Sequence, residues 1–477
     1  MNVKDLEALL VQKQKTVLLY RRFASYIIAT ALLISSAVFY KKIANKSTLE
    51  GKSLSSAAWL DSASLKFMKL ASHVENASYC MPLHVDIVND VEIFFHHCPA
   101  EVFAKRATEY EVMKDFVVDA RIARRFHFWR EVYSNWSSDQ FVLHSSEFPE
   151  VILETVDVSN LKSSFSSNER RKKAQKVIKT RKRMYRNLLV EMHRKYRKGE
   201  AFLSPAMLRI EKTMQHITDK NKYWIVARSI RTQRGQRDFI SSGLQASGRY
   251  LPAIKKEFER IGVPTELANI AFIESSFNLN AYSKVGAGGI FQIMPATGKQ
   301  YMIVGDDIDE RKDPIKSATA AAKLLKLNYR LTKSWPLAIT AYNHGVGGIN
   351  RAVRSVKSRD IVELIEQYRG NAFGFASKNF YTGFLGLLDT LEKADKIFPN
   401  IVKFSELKFL VYRVRNNSDI GDIQKKLNIS KDIIRFYNPD LSAQVMRGEV
   451  KVPRGYRLKH PAPEEIKQNV ASKAENT

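Results

Sequence analysis

The first long apolar run is FASYIIATALLISSAVFY, residues 23–40, which carries no charge over 18 positions. That length just allows a helix to span a bilayer. No polar face interrupts it, which sets it apart from a buried soluble helix. Arg21 and Arg22 precede the run, and Lys41 and Lys42 follow it. Lys13 and Lys15 add to the leading side, so the pattern predicts an uncleaved anchor with its N-terminus inside. A cleaved signal peptide competes with this reading, but no clear Ala-x-Ala site follows the run.

Residues 46–165 read as a mixed α/β region. FWREVYSNW predicts an aromatic-rich helix, and QFVLHSS and VILETVDVS predict a strand pair. SSFSSNE, residues 163–169, reads as a linker or helix entry. Residues 170–200 then carry many bases and few acids, with one apolar stripe at Val177, Tyr185, Leu188, Leu189 and Met192. That predicts a solvated helix within a basic helical region, 166–239.

From residue 240 to 400 the period is helical throughout. Leu251, Ile254, Phe258 and Ile261 share one face, Gly262 is a stop, and Pro264 starts the next element. Leu267, Ile270, Ala271 and Ile273 follow as an apolar set. DPIKSATAAAKLLKLNYR and WPLAITAYN predict two further helices. Residues 412–453 change character: a short strand, two short helices and a closing strand, with Asp419 before the first helix and Asn438-Pro439 after the second. The polar stretch 457–477 is expected to be a disordered tail.

A chain of 477 residues with 44% hydrophobic and 26% charged positions suits several globular domains. The net charge of +28 calls for a polyanionic partner: nucleic acid, a membrane surface or an anionic wall polymer. The sequence shows no zinc-finger spacing and no aromatic RNA-binding box, so nucleic acid rests on charge alone. Two cysteines, Cys80 and Cys98, exclude a disulfide scaffold and leave one bridge or two free thiols open.

The candidate chemistry lies in ESSFNLNAYSKVGAGGIFQIMPATG, residues 274–298. Glu274 closes an apolar helix, where desolvation would raise its pKa and make it a general acid near neutral pH. Gly286, Gly288 and Gly289 would let backbone approach a ligand closely. Tyr282, Ser283 and Gln292 offer hydrogen bonds, and Met294 a soft apolar wall. A helix-ending glutamate is usually structural, so the combination with its surroundings matters more than Glu274 alone.

The order Glu274-Ser275, Ala281-Tyr282-Ser283, Gly286-Ala287-Gly288-Gly289, Gln292-Ile293-Met294-Pro295-Ala296-Thr297 and Ala341-Tyr342-Asn343-His344-Gly345 resembles the catalytic domain of lytic transglycosylases of the soluble-lytic-transglycosylase type. FGFASKNFYTGFL, residues 373–385, looks like that family's final tyrosine-bearing motif, with Tyr381 in place. The run-in before Glu274 resembles the membrane-bound D-type members, and the resemblance covers about 230–395. Residues 408–456 look like a LysM module, with Tyr412, Val414 and Asp419 in place but Asn416, Asn417 and Ser418 where a glycine is usual. His344 stands where the family usually has a small residue. It is expected to be packed or exposed rather than part of the groove.

The resemblance implies a mainly α chain: a lysozyme-like helical catalytic domain after a membrane helix and a mixed α/β region, followed by a small α+β LysM module. It implies cleavage of the MurNAc–GlcNAc β-1,4 bond with Glu274 as acid and then base. A 1,6-anhydro end forms, and no metal or organic cofactor takes part. Ser275, Ser283, Gln292, Met294, Tyr342, Asn343 and Tyr381 would bind the sugars. The expected partners are peptidoglycan strands and, through residues 23–40, the bacterial inner membrane, with the catalytic part periplasmic. A lysozyme-type hydrolase and a non-catalytic wall-binding scaffold are the alternatives. The absence of another acid between Glu274 and Asp306 favours the anhydro route over hydrolysis.

Overall fold

A computed structural model describes residues 81–88, 91–97, 116–161 and 166–461. The apolar run at 23–40, both cysteines and residues 462–477 lie outside the described residues, whereas 457–460, expected to open the disordered tail, form a strand because they pair with Leu410–Arg413. Among the described residues no helix is long and apolar enough to cross a membrane.

The chain enters as β1 (Met81–Val88) and β2 (Val91–His97) and continues through α1 (Ala123–Ser134) to β3 (Gln140–Ser145) and β4 (Ile152–Asp157). Three helices follow, α2 (Ser167–Lys198), α3 (Pro205–Thr213) and α4 (Lys222–Arg228), then β5 (Ile230–Arg234). The strands form one antiparallel sheet in the order β1-β2-β4-β3-β5. The expected strand pair is the centre of this sheet. The added edge, β5, pairs Thr232 with Leu143 and Arg234 with Phe141.

Side chains alternate across the sheet. Leu143 and Leu153 join Val177, Tyr185, Leu189 and Met192 of α2 in one core. Their neighbours Val142 and Ile152 face a second core. The described strands before residue 162 and the helices of 166–239 therefore share one core, in which α2 covers the sheet together with Met207 of α3 and Tyr223 and Val226 of α4. Ser166 caps that helix and Glu169 completes a capping box, so the serine-rich stretch is a helix entry.

The helical domain begins with α5 (Arg237–Ile261), three residues earlier than the period alone suggests, and ends at Gly262. Ile254 and Phe258 are fully buried on it, while Leu251 and Ile261 pack at the core margin. A 3-10 turn over Thr265–Asn269 leads into α6 (Ile270–Ser275). Then come α7 (Pro295–Gly298), α8 (Pro314–Thr332), α9 (Trp335–His344), α10 (Val346–Val356), α11 (Ile361–Gln367), α12 (Phe375–Glu392) and α13 (Ala394–Ile397). Helix α1 also belongs to this core: Phe126, Phe128, Val132 and Tyr133 pack with Phe384 and Leu387 of α12. At Gly386 a side chain would meet the Arg130 backbone nitrogen at 2.8 Å, so the two helices touch backbone to backbone.

The C-terminal module holds β6 (Leu410–Arg413), α14 (Ile420–Leu427), α15 (Lys431–Tyr437), α16 (Ala443–Arg447) and β7 (Arg457–His460). Asp419 caps α14 through the Gly421 amide at 2.6 Å, as its position suggests. Two expectations change. A third helix, α16, is present, and the closing strand is 457–460, not 450–453. The apolar pair Val450 and Val452 mimics a strand, but Val452 makes only an isolated bridge to Ser418 and serves the module core. The module packs on the helical domain through buried charges. Lys316 of α8 reaches Asp440 at 2.8 Å, Lys459 pairs with Asp313, and the Tyr456 hydroxyl donates to Asp440 at 2.8 Å.

Candidate active site

Helix α6 places Glu274. Its residues Ile270, Ala271 and Phe272 are buried, which fixes the helix and leaves Glu274 half-buried at its last turn. The chain then turns sharply, with Ser276 and Phe277 at φ of 50° and 61°. A bulky residue rarely adopts this conformation. Here the buried Phe277 ring meets Phe272 edge-on at 4.7 Å and holds the turn. Burial pushes the Glu274 carboxyl up to about 8. A carboxyl with that value holds a proton at neutral pH and can give it away.

The glycine-rich loop is fastened back to this helix. Ser275 Oγ donates to the Ile290 carbonyl at 2.9 Å. Ser283 Oγ accepts from the Ala287 amide at 2.9 Å, and Gly288 and Ile293 exchange two backbone bonds at 3.1 Å. Gln292 donates from Nε2 to the carbonyls of Ala281 and Gly289, at 3.0 and 2.9 Å. Gly289 is required for two reasons: its φ is +73°, and a side chain would stand 1.7 Å from the Arg311 carbonyl oxygen. The Arg311 guanidinium passes under the loop, donating to Gly286 O at 2.7 Å, Ile293 O at 3.2 Å and Tyr282 at 2.6 Å. Asp309 holds Arg311 at 2.8 Å and accepts from the Tyr282 hydroxyl.

Ser275, Ser283, Gln292 and Tyr282 therefore spend these donors and hydroxyls on shaping the loop. Met294 is exposed. Tyr342 of α9 donates to the Phe291 carbonyl at 2.8 Å, and burial together with the Glu274 charge holds its hydroxyl well above the usual range. Asn343, exposed, accepts from Ser377 at 3.2 Å. His344 is half-buried, 3.0 Å from Ser377 Oγ and edge-on to Phe373 at 5.1 Å, which makes it a packed residue. Tyr381 is buried, and the charge that acts on its hydroxyl after burial itself is that of Asp119.

Tyr133 is the residue that sequence reasoning missed. It comes from α1, is almost fully buried, and stacks on Trp129 at 5.8 Å. Its hydroxyl lies 3.2 Å from where a side chain on Gly383 would start. Burial raises its pKa, as it does that of Tyr342, and the charge of Glu274 raises both further. The aromatic helix carried the only signal, and nothing in it pointed to Glu274. The nearest acids following Glu274 in sequence are turned elsewhere: Asp306 and Asp307 are exposed, and Asp309 is held by Arg311 and Tyr282. Among the described residues no three His, Cys, Asp or Glu side chains gather where a metal ion could sit.

Residues 252–365 match the family model described as Transglycosylase SLT domain. The chain is 34% identical over 112 residues to membrane-bound lytic murein transglycosylase D of Escherichia coli K12, covering 23% of this chain and 25% of that protein. It is 32% identical over 161 residues to membrane-bound lytic murein transglycosylase F of Shewanella sediminis, covering 28% of this chain and 32% of that protein. Among solved structures, the 70-kDa soluble lytic transglycosylase of Escherichia coli aligns at 16% identity with a TM-score of 0.26, over 46% of this chain and 45% of its own. The aligned part thus spans a quarter to a third of the two curated relatives. Tyr133 and Tyr381 lie outside the matched segment, whereas Glu274, its loop and Tyr342 lie inside the part that is similar to a transglycosylase SLT domain.

Proposed function

We propose that the protein is a peptidoglycan lytic transglycosylase that cuts the MurNAc–GlcNAc β-1,4 bond with Glu274 as its acid and then its base. The observation that carries this reading is a half-buried carboxyl raised to about 8 behind a braced glycine-rich loop. The names of the relatives, lytic murein transglycosylases, support the same reading.

In this reading Glu274 protonates the oxygen between the two sugars, and the C1–O bond breaks towards an oxocarbenium-like centre. The substrate's own acetamido group supports that centre. The Glu274 carboxylate then takes the proton of the muramoyl 6-hydroxyl, whose oxygen attacks C1 and closes the 1,6-anhydro ring. The Tyr133 and Tyr342 hydroxyls, held protonated by burial and by the charge of Glu274, carry no competing negative charge. Asn343 and Met294 are exposed and free to meet sugar, while Ser275, Ser283 and Gln292 act by holding the loop. Tyr381 is buried and acts by packing.

The C-terminal module, residues 408–456 with β7 added, reads as a LysM-type glycan binder. Its docking by Lys316–Asp440 and Lys459–Asp313 favours a fixed extension of the glycan track over a loose tether. The apolar run at 23–40 reads as the anchor in the bacterial inner membrane, with the catalytic part periplasmic. Relatives named membrane-bound are in keeping with it.

The test is a digest. The full chain and Glu274→Gln are incubated with purified peptidoglycan, and the soluble products are read by mass spectrometry. Anhydro-muropeptides from the parent and none from the variant are expected. Reducing ends from the parent would replace the reading with hydrolysis, and no products from a folded parent that binds peptidoglycan would leave a scaffold.

A further inference from the structure

The most basic element of the chain does not belong to the segment around Glu274. Helix α2 carries fourteen lysines and arginines against two glutamates. One of its faces, together with the sheet, walls an open groove of about 700 Å³. Lys179, Lys182, Arg183 and Arg186 stand on the helix side, and Arg234 with Thr232 on the strand side. Among the described residues, none of these five cations pairs with a carboxylate. The Thr232 hydroxyl is buried in the groove wall with no hydrogen-bond partner. Burial lowers the Lys182 pKa, and the charges of Arg186 and Arg231 lower it further. Unbalanced charge held this close calls for an anion.

We propose that this groove is a binding site for the phosphate-bearing headgroups of an anionic lipid surface. The helix supplies the shape. Positions 172, 175, 179, 182, 186, 190, 193 and 197 follow the three- and four-residue spacing of one helical stripe, about 38 Å long. The two glutamates, Glu169 and Glu191, fall off that stripe. Lys172, Lys179, Lys182, Arg186 and Arg197 are its cations, with Gln175, Val190 and His193 between them, and a cationic stripe of this length matches an extended anionic surface better than a small solute. Apolar groups accompany the charges. Phe141 and Ile178 line the groove, Val190 and Tyr196 are exposed farther along the helix, and Trp224 is exposed on the packed helix α4. Bases with apolar tips between them suit the boundary of headgroups and acyl chains. A nucleic-acid backbone would make no use of Val190. The Glu274 reading is not needed for this proposal.

The experiment uses the full chain and neutral phosphatidylcholine vesicles, with or without 30% phosphatidylglycerol (~30%, enough for a polybasic segment to sense). The readout is the ratio of anionic to neutral vesicle binding, which removes any contribution common to both. Wild type is expected to prefer the anionic vesicles at least tenfold at low salt, with the preference collapsing at high salt. Lys179→Glu/Lys182→Glu/Arg186→Glu is expected to lose that preference, while its peptidoglycan digest stays that of wild type. The neutral variant Lys179→Gln/Lys182→Gln/Arg186→Gln, expected to fall between, serves if charge reversal unfolds the chain. Retention of the preference in a folded variant overturns the proposal. Displacement of the vesicles by millimolar inorganic phosphate at constant ionic strength would assign the groove to a small phosphate, and displacement by duplex DNA to a nucleic acid; either overturns the lipid assignment.

Discussion

Ser275 and Ile290 are joined by a 2.9 Å hydrogen bond from the serine hydroxyl to the backbone carbonyl. This bond ties the residue next to Glu274 to the far side of the glycine-rich loop. Ile290 is fully buried, so no water replaces the lost donor. Ser275→Ala is expected to cost about 1 kcal/mol in stability. Because loop and acid then lose their fixed spacing, peptidoglycan cleavage should fall about tenfold to a hundredfold. Thermal unfolding and the digest, run on one preparation, check both. Wild-type cleavage by the variant would show that the tether is structural only.

Glu274 should make stability depend on pH with an unusual sign. Its folded value is raised from 4.5 to about 8, so between those values the native state binds more protons than the unfolded chain. Its contribution is complete below about 4.5 and is lost as pH rises through about 8. Glu274→Gln removes the loss. Wild type and variant should therefore melt together near pH 4, and the variant should melt higher at pH 9, by a few degrees once partial exposure of the site is allowed for. Cleavage needs the protonated acid, so the wild-type rate should decline above about 8. Identical melting curves at pH 9 would refute the raised carboxyl.

Tyr133→Phe removes a hydroxyl on which the Glu274 charge acts and leaves the ring on Trp129. The site becomes less polar, so the charged carboxylate is disfavoured further. The alkaline limb of the pH–rate profile is expected to move to higher pH, with kcat reduced and KM little changed. A stability loss with an unmoved limb would assign Tyr133 to packing alone.

Lys316 and Arg260 offer a contrast between buried and exposed ion pairs. Lys316 reaches Asp440 at 2.8 Å between the helical domain and the C-terminal module, with the Asp440 side chain fully buried. Lys316→Met leaves that carboxylate without its cation and should cost about 3–5 kcal/mol. Arg260 pairs with Glu257 at 2.6 Å but is 61% exposed, and Arg260→Ala should leave stability almost unchanged. Calorimetry on both variants tests the order. A second, earlier melting step in Lys316→Met would show the module leaving first.

The sequence by itself determined what is local. The helices 314–332 and 335–344, the stop at Gly262 and the position of Asp419 before its helix follow from apolar period and end residues, because hydrogen bonds within a few positions set them. The strand pair 140–145 and 152–157 was legible from β-branched alternation. Glu274 and its loop were legible because an apolar helix ending in an acid and a run of glycines sit in one continuous stretch.

Tertiary structure decided the rest. Ile230–Arg234 is a short, charged segment whose strand character comes from its partner β3. The placement of Tyr133, with its hydroxyl against Gly383, depends on close packing of α1 against α12, which no single helix encodes. Ser283 and Gln292 bond the loop's own amides and carbonyls because such groups need partners where they fold inward. The clamp of Asp313, Lys316, Asp440 and Lys459 joins residues far apart in the chain, where burial makes each charge depend on the others. Period and composition record which residues prefer to be buried. Which of them meet is set by packing between elements.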